Sequence, residues 1–392
     1  MKFSATDKKN FLSSINRACP ASESIVTRYM NAFSFGDASE DRSFKRLLAE
    51  TSIAEGARVL KKPIEFKGAR VWVMDETSLM RSRTLKAVDG CVTSARCRSL
   101  GFERVAFESG GNTGIALTEY CQKSGIETFL FMPRQNLGLL HRSLFDNPGA
   151  HLISVVDREL VKKASKIFCD EAGVAHIPST DWRYEASMLR GAFVLEEILS
   201  GLKVDWLAQT ISAAFGPIGM YRVMEGCASV KIPAFLGVQQ EANCPAYRGW
   251  KKDRLETLPD DAPISGELIA KTMYDVSPKT YGSYDKLKRL LVDTRGDLTT
   301  ISKSELDDFL ALGVNGKTVI EILAENDVVI TRQNGEIVEK TGLTAVAGVF
   351  KEIASGRIPA GSDVLTSLTS GVSLADGLAR PEFEVENIAD AT

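Results

Sequence analysis

Lys86 stands in the segment TSLMRSRTLKAVDG (77–90), and a loop rich in glycine and asparagine, ESGGNTG (108–114), follows within the next strand–turn–helix unit. A lysine amine at the mouth of an α/β core can form a Schiff base with a carbonyl carbon. Main-chain N–H groups of a loop beside it can hold carboxylate or phosphate oxygens. In that loop Asn112 adds an amide able to donate to a phenolate oxygen. A second glycine-containing turn, FGPIGMYR (215–222), again lies between a strand and a helix, where backbone donors and the helix dipole favour a phosphate. In TSLTSGVSLADG (366–377), Thr369 and Ser370 could present a hydroxyl to a ring nitrogen at a strand end. Each motif also has a plain reading: a solvated lysine, a tight glycine turn, an ordinary βα connection, a polar turn. The order of the four along the chain carries the chemistry.

Other chemistries lack their residues. The three histidines, His141, His151 and His176, form no metal-ligand pattern and lie in no recognisable nucleophile context. The seven cysteines are scattered without a CxxC pair, so neither a disulfide framework nor a zinc site is expected. No GK[ST] follows the 215–222 turn and its glycines lack the GxGxxG spacing, which argues against ATP and nicotinamide cofactors. With 48 basic and 51 acidic residues the net charge is −3, and no footprint for nucleic acid or an anionic membrane is present. The apolar runs, such as ARVWVMD and ETFLFMP, are too short to span a bilayer, and the start, MKFSATDKKNFLSS, has no apolar signal core. A cytoplasmic location is expected.

The elements that must position these motifs alternate. Up to about Leu48 the chain reads as an N-terminal arm with a helix or two. ARVWVMDE then reads as a buried strand, 86–100 as a helix with small residues on one face, RVAFES as a strand, and IALTEYCQKSG as a helix ended by Gly125. ETFLFMP is the next strand, NLGLLHRSLFDNPG a helix, HLISVV a strand, and LVKKASKIFCDEAG an amphipathic helix closed by Gly173. Strands of LAQT and PAFLGVQ type flank the 215–222 turn, residues 247–290 read as surface loops and short helices, and the final 17 residues as a flexible or surface-lying tail. Such alternation predicts an α/β protein with parallel βαβ units.

Taken in order, these segments resemble the pyridoxal phosphate enzymes of the tryptophan synthase β-like fold, fold type II, with the threonine synthase-like group nearest in flavour. VMDETSLMRSRTLKAVDG resembles the block that carries the family's Schiff-base lysine, which would be Lys86. ESGGNTG resembles its asparagine loop: Asn112 would contact the cofactor's 3′ oxygen, and Ser109, Gly110, Gly111 and Thr113 would frame the substrate carboxylate. FGPIGMYRV is similar to its phosphate cup, so that Gly216, Pro217, Ile218, Gly219 and Met220 would surround the phosphate. GEIVEKTGLTAVAGV and STDWRYEASMLRGAFVLEEIL match further family segments, the latter placing Glu185 at an acidic position. LTSGVSLADG puts Thr369 opposite the pyridine nitrogen. The chain departs from the pattern after the lysine, where Asp-Arg-Gly becomes Ala-Val-Asp-Gly, at Gly110, and at Pro217 and Ile218.

The resemblance implies a two-lobed fold, with an arm of residues 1–48, a large cofactor-binding domain of 49–85 and 191–392, and a small mobile domain of 86–190. It implies pyridoxal 5′-phosphate as cofactor and a homodimer. The activity implied is that of a lyase or synthase acting on an amino acid with a β- or γ-leaving group, of phosphohomoserine or phosphoserine type. Lys86 would form the Schiff base and abstract the α-proton, and elimination and replacement would follow. A neutral hydroxyl such as Thr369 at the ring nitrogen favours that course over transamination. The alternatives are a β-replacement enzyme of the cysteine or cysteate synthase type, or a non-catalytic relative serving as a binding or regulatory module.

Overall fold

The computed structural model describes all residues except 262, 275–282, 329, 331, 334–335, 338–339, 371–376, 378 and 392. Most of the second half of the TSLTSGVSLADG motif, parts of GEIVEKTGL and the centre of 247–290 therefore lie outside the described residues. Two sheets organise the rest. The larger runs in the order Asp297–Ile301, Ala234–Gln240, Trp206–Thr210, Asp363–Leu368, Ala69–Asp75, Arg58–Val59, with Ile64–Phe66 also on Ala69–Asp75. Its long strands are parallel, and only the two short ones run antiparallel to Ala69–Asp75. The smaller sheet is parallel throughout, in the order Phe383–Val385, Ala150–Val155, Glu127–Pro133, Arg104–Glu108, Ala175–His176.

Apolar side chains dictate this layering. Every residue of Asp363–Leu368 is buried, as a strand covered on both faces must be. One face of the large sheet packs on a cluster that includes Val88, Leu189, Phe193, Val223 and Phe235, the other on one that includes Val71, Leu236, Val346 and Phe350. Two further clusters, around Leu130 and around Phe131, cover the faces of the small sheet.

The N-terminal residues 1–48 pack on the body of the protein, with Phe11, Ile25, Tyr29, Phe33, Phe44 and Leu48 buried in the first cluster. The NLGLLHRSLFDNPG segment forms two short 3-10 turns, Arg134–Leu139 and Arg142–Phe145, instead of a helix. Gly138 weakens helical propensity there, and extended Leu140 and buried Leu144 dock on the small sheet. Of the two expectations for the C-terminal stretch, flexible or surface-lying, the second fits Phe383–Val385, which pairs in parallel with Ile153–Val155 as a largely exposed edge strand of the small sheet.

A buried ion pair joins the layers under the large sheet's strand ends. Arg190, in the helix Thr180–Leu199, donates through Nε and Nη2 to the two carboxylate oxygens of Glu76 at 2.6 Å each, and both side chains are fully buried. Its Nη2 also donates to Gln209 Oε1 at 2.9 Å, and the Ser367 hydroxyl donates to Glu76. Arg190→Met leaves a buried carboxylate without its counter-charge and is expected to cost about 3–5 kcal/mol in urea unfolding, while Glu76→Gln/Arg190→Met recovers most of that loss. A single variant within about 1 kcal/mol of the wild type would contradict this role.

Candidate active site

The cavity lies where the C-terminal ends of the large sheet's strands face the small sheet, the position where open α/β sheets bind ligands. It encloses about 270 Å³ and is lined by Lys86, Asn112, the 209–216 segment and Thr369 among others. Lys86 is the first residue of the helix Lys86–Ser99. The chain before it is pinned to the large sheet: the Thr369 carbonyl accepts from the Leu85 N–H and from the Thr84 hydroxyl, each at 3.0 Å. The same two hydrogen bonds thus place Thr369 beside Lys86. Gly90 lets this helix close on the helix Asn112–Lys123, since a Cβ there would sit 2.7 Å from the Tyr120 ring and 2.8 Å from the Ala116 carbonyl.

The Lys86 ammonium donates to Asp89 Oδ2 at 2.7 Å, one helical turn on, and Asp89 is buried. Burial holds the lysine below its ordinary pKa, Asp89 pulls the other way, and Arg183 and Arg190 reinforce the lowering. A larger share of Lys86 is therefore an unprotonated amine at neutral pH than for a surface lysine.

The asparagine loop is shaped by its own side chains. The Ser109 hydroxyl accepts from the N–H groups of Gly111 at 3.1 Å and Gly114 at 2.8 Å, and Asn136 donates to the Gly110 carbonyl at 2.7 Å. Ser109, Gly110, Gly111, Asn112 and Thr113 all line the cavity, but the Ser109 hydroxyl is committed to the loop. Glu108 at its start pairs with His176 at 2.6 Å, which raises the histidine's pKa.

The glycine-containing turn at 215–222 is placed differently from expectation. Its residues form the first turns of the helix Phe215–Glu225, and of those named for the cup only Gly216 reaches the cavity. Pro217, Ile218, Gly219 and Met220 are buried in the helix. Ile218 and Met220 belong to the core cluster. Gly219 serves helix packing, because a Cβ there would lie 2.6 Å from the Tyr184 carbonyl of the Thr180–Leu199 helix. Pro217 costs no hydrogen bond, since N–H groups in a first helical turn have no intrahelical partner. The cavity wall is instead the preceding loop, Ile211–Ala214, with Ala214 in left-handed backbone geometry at φ +57°.

Glu185, partly buried on the Thr180–Leu199 helix, pairs with Arg96 at 2.8 Å and does not line the cavity. Residues that the sequence reading did not single out include Asp89, Gln209, Ser212, Ala213, Arg158, Lys162 and Tyr274. The small-residue run SAA directly after a buried strand was the available signal for the loop. Nothing local marks Tyr274 or Arg158, which arrive from distant segments.

Left-handed geometry costs a residue with a Cβ about 1–2 kcal/mol that glycine does not bear. Ala214→Gly is therefore expected to raise the unfolding free energy by about 1 kcal/mol in thermal or urea melts, and a clear loss would show that the loop is not strained.

Comparison with known proteins agrees with this geometry. The family model for pyridoxal-phosphate dependent enzymes matches residues 59–370. Cysteate synthases of Methanosarcina acetivorans and Methanosarcina mazei are each 19% identical over 316 residues, spanning 76% of this chain and 70% of theirs. Among solved structures, the processed form of threonine deaminase isoform 2 from Solanum lycopersicum superposes with a TM-score of 0.59 at 13% identity, over 92% of this chain and 91% of that one. O-ureido-L-serine synthase gives 0.59 at 13% identity over 83% and 91%. The fold is thus the two-lobed fold type II architecture, the cofactor is pyridoxal 5′-phosphate, and the chain belongs to the family of pyridoxal-phosphate dependent enzymes.

Proposed function

We propose that Lys86 binds the cofactor covalently and that the protein catalyses elimination or replacement at the β- or γ-carbon of an amino acid. The observation that carries this reading is the convergence of Lys86, Asn112, the 212–216 segment and Thr369 on one cavity. The fit has a specific mark: the Thr369 hydroxyl is buried in the cavity wall and, among the described residues, has no hydrogen-bond partner. Such a group is costly unless a ligand atom completes it. Here it would face the pyridine nitrogen, Asn112 the ring oxygen, and Ser212 to Gly216 the phosphate, at the start of the Phe215–Glu225 helix.

Bound pyridoxal phosphate supplies an electron sink that stabilises negative charge at the amino acid's α-carbon. The chain's own part begins with Lys86. With the cofactor and substrate bound, its amine would be the base for the α-proton. The N–H groups of Asn112 and Thr113, at the start of the Asn112–Lys123 helix, would orient the substrate carboxylate. A neutral hydroxyl at the ring nitrogen favours loss of a leaving group over transamination. The five-stranded sheet, with residues 86–190 around it, would be the lobe that closes and excludes water.

An anionic leaving group suits the cavity rim. Arg158, Lys162 and Arg183 line it, with the Arg158 guanidinium 3.9 Å over the Tyr274 ring and that of Arg183 5.2 Å over Phe215. Arg81, Arg83 and Arg134, also near the motifs, meet Glu119 at 2.7 Å, the Ser78 carbonyl at 2.7 Å and Glu384 at 3.2 Å, and none of the three lines the cavity. A phosphoserine- or phosphohomoserine-type amino acid is the substrate we infer. The cysteate synthases among the relatives favour replacement over simple elimination. We also infer a cytoplasmic homodimer, for which light scattering should return twice the chain mass.

The purified protein loaded with pyridoxal phosphate should absorb in the visible range, and Lys86→Ala should abolish that band. A colourless wild type that takes up no cofactor would favour a non-catalytic binding module. Spectral shifts on adding phosphohomoserine, phosphoserine, acetylserine or serine identify the substrate. Thr369→Val should leave the cofactor-free protein within about 0.5 kcal/mol of wild-type stability, yet weaken cofactor affinity on the order of tenfold, the worth of one hydrogen bond. Equal affinity in the two proteins would remove Thr369 from the site.

A further inference from the structure

The block after Lys86 departs from the family pattern by placing an acid, Asp89, three positions on. In a helix, residues three apart share a face, and here the carboxylate lies 2.7 Å from the lysine nitrogen. Among the described residues the Lys86 ammonium donates to Asp89 alone. Asp89 is 3% exposed, so its charge acts through little water and its pairing is stronger than a surface ion pair's. The other charges around Lys86 do not substitute for it. From the Thr180–Leu199 helix, Arg183 and Arg190 face the lysine and disfavour its charge. Glu108, which lines the same cavity from the asparagine loop, is held by His176. The helices Ala38–Thr51 and Asn112–Lys123 pack on the Lys86 helix. Their ion pairs lie away from Lys86: Glu50 with Arg98 near the far end of the helix, and Glu119 with Arg81.

We propose that Asp89 is a positioning residue that holds the Lys86 nitrogen and keeps a proton on it, both as the free ammonium and when the nitrogen is linked to the cofactor. The inference rests on the reading of Lys86 as the anchor. Linking the amine to the cofactor aldehyde expels one water and leaves a doubly bonded nitrogen with a lone pair. A proton on that lone pair makes the adjoining carbon the better target for an incoming amine. A buried carboxylate within hydrogen-bond reach stabilises this cation, as it stabilises the ammonium that forms when Lys86 removes a proton from substrate. In both cases the proton stays on nitrogen and the carboxylate accepts its hydrogen bond. The acid thereby opposes burial and the local arginines, which disfavour a charged nitrogen.

The test is a pH titration of the visible band of the protein loaded with pyridoxal phosphate. Removing a negative charge beside a cation lowers the pH at which the proton leaves. Asp89→Asn and the smaller Asp89→Ser should therefore lose the protonated band at a pH about one unit or more below wild type, a tenfold change in the proton equilibrium. Asp89→Glu, which keeps the charge, should return the midpoint toward wild type, an outcome that a packing role alone does not produce. A neutral variant that loads fully and titrates with the wild type overturns the proposal. The wild type supplies an arm free of folding effects: with lysine labelled with nitrogen-15 at Nζ, the linked nitrogen must be protonated at neutral pH, and an unprotonated one also overturns it. A wild type that takes no colour overturns the reading of Lys86 and this inference together, whereas a coloured wild type with unmoved variants overturns this inference alone.

Discussion

The paired charges of Glu76 and Arg190 are the constraint on which the rest of the site depends. Two ions fully withdrawn from water are tolerable only when each satisfies the other. The guanidinium meets the carboxylate as a two-point fork, a geometry that fixes direction as well as distance. Its further partners, Gln209 and Ser367, stand at the ends of two neighbouring regions of the large sheet. The helix Thr180–Leu199, the end of Ala69–Asp75 and the ends of Trp206–Thr210 and Asp363–Leu368 are therefore locked at one level. A Cβ on Gly216 would come within 2.8 Å of Arg190 Nη1, so the same buried cluster also sets how close the Phe215–Glu225 helix begins to the strand ends.

Above that platform the site is assembled from backbone, with few side chains. The Thr369 carbonyl receives two donors from the segment just before Lys86 and so binds the C-terminal strand to the lysine helix. The Ser109 hydroxyl and the Asn136 amide hold the asparagine loop open toward the cavity. Ala214 accepts left-handed geometry to turn the chain from strand to helix at the cavity wall. Such strain persists where surrounding structure over-determines it, and here Ala214 and Phe215 after it are buried. The cavity thus gathers a lysine, oriented amides and a lone hydroxyl without needing a long polar network.

Much of this was legible in the order of residues. The strand and helix alternation follows from apolar runs and their terminators, and Gly125 and Gly173 end their helices in left-handed geometry as their positions suggest. Asn112 at a helix start was readable because its loop comes straight after the strand Arg104–Glu108, whereas ten residues separate Ala69–Asp75 from the helix that Lys86 opens, and Lys86 was marked by its segment. The glycines of the 215–222 turn do not all serve the cavity: Gly216 lines it, Gly219 answers the approach of a neighbouring helix, and the loop facing the cavity is the less conspicuous Ile211–Ala214. Glycine marks any close approach, and a linear string does not say what approaches. The 134–147 stretch misled for a related reason: its apolar spacing suits a helix, but its leucines are spent in docking two separate 3-10 turns on the small sheet.

By itself the sequence determined the kind of elements, their order and the residues with chemical potential, because those depend on side-chain type and on spacing within one segment. Tertiary structure decided which of those residues meet. Lys86 and Thr369 are 283 positions apart and become neighbours only through strand pairing. Phe383–Val385 joins a sheet whose other strands end at His176. Arg158, Lys162 and Tyr274 reach one cavity rim from separate segments. Asp89 lies between the two cases. Its place three residues after Lys86 is written in the chain, but its burial, which gives that short distance its electrostatic weight, comes from the helices packed around it.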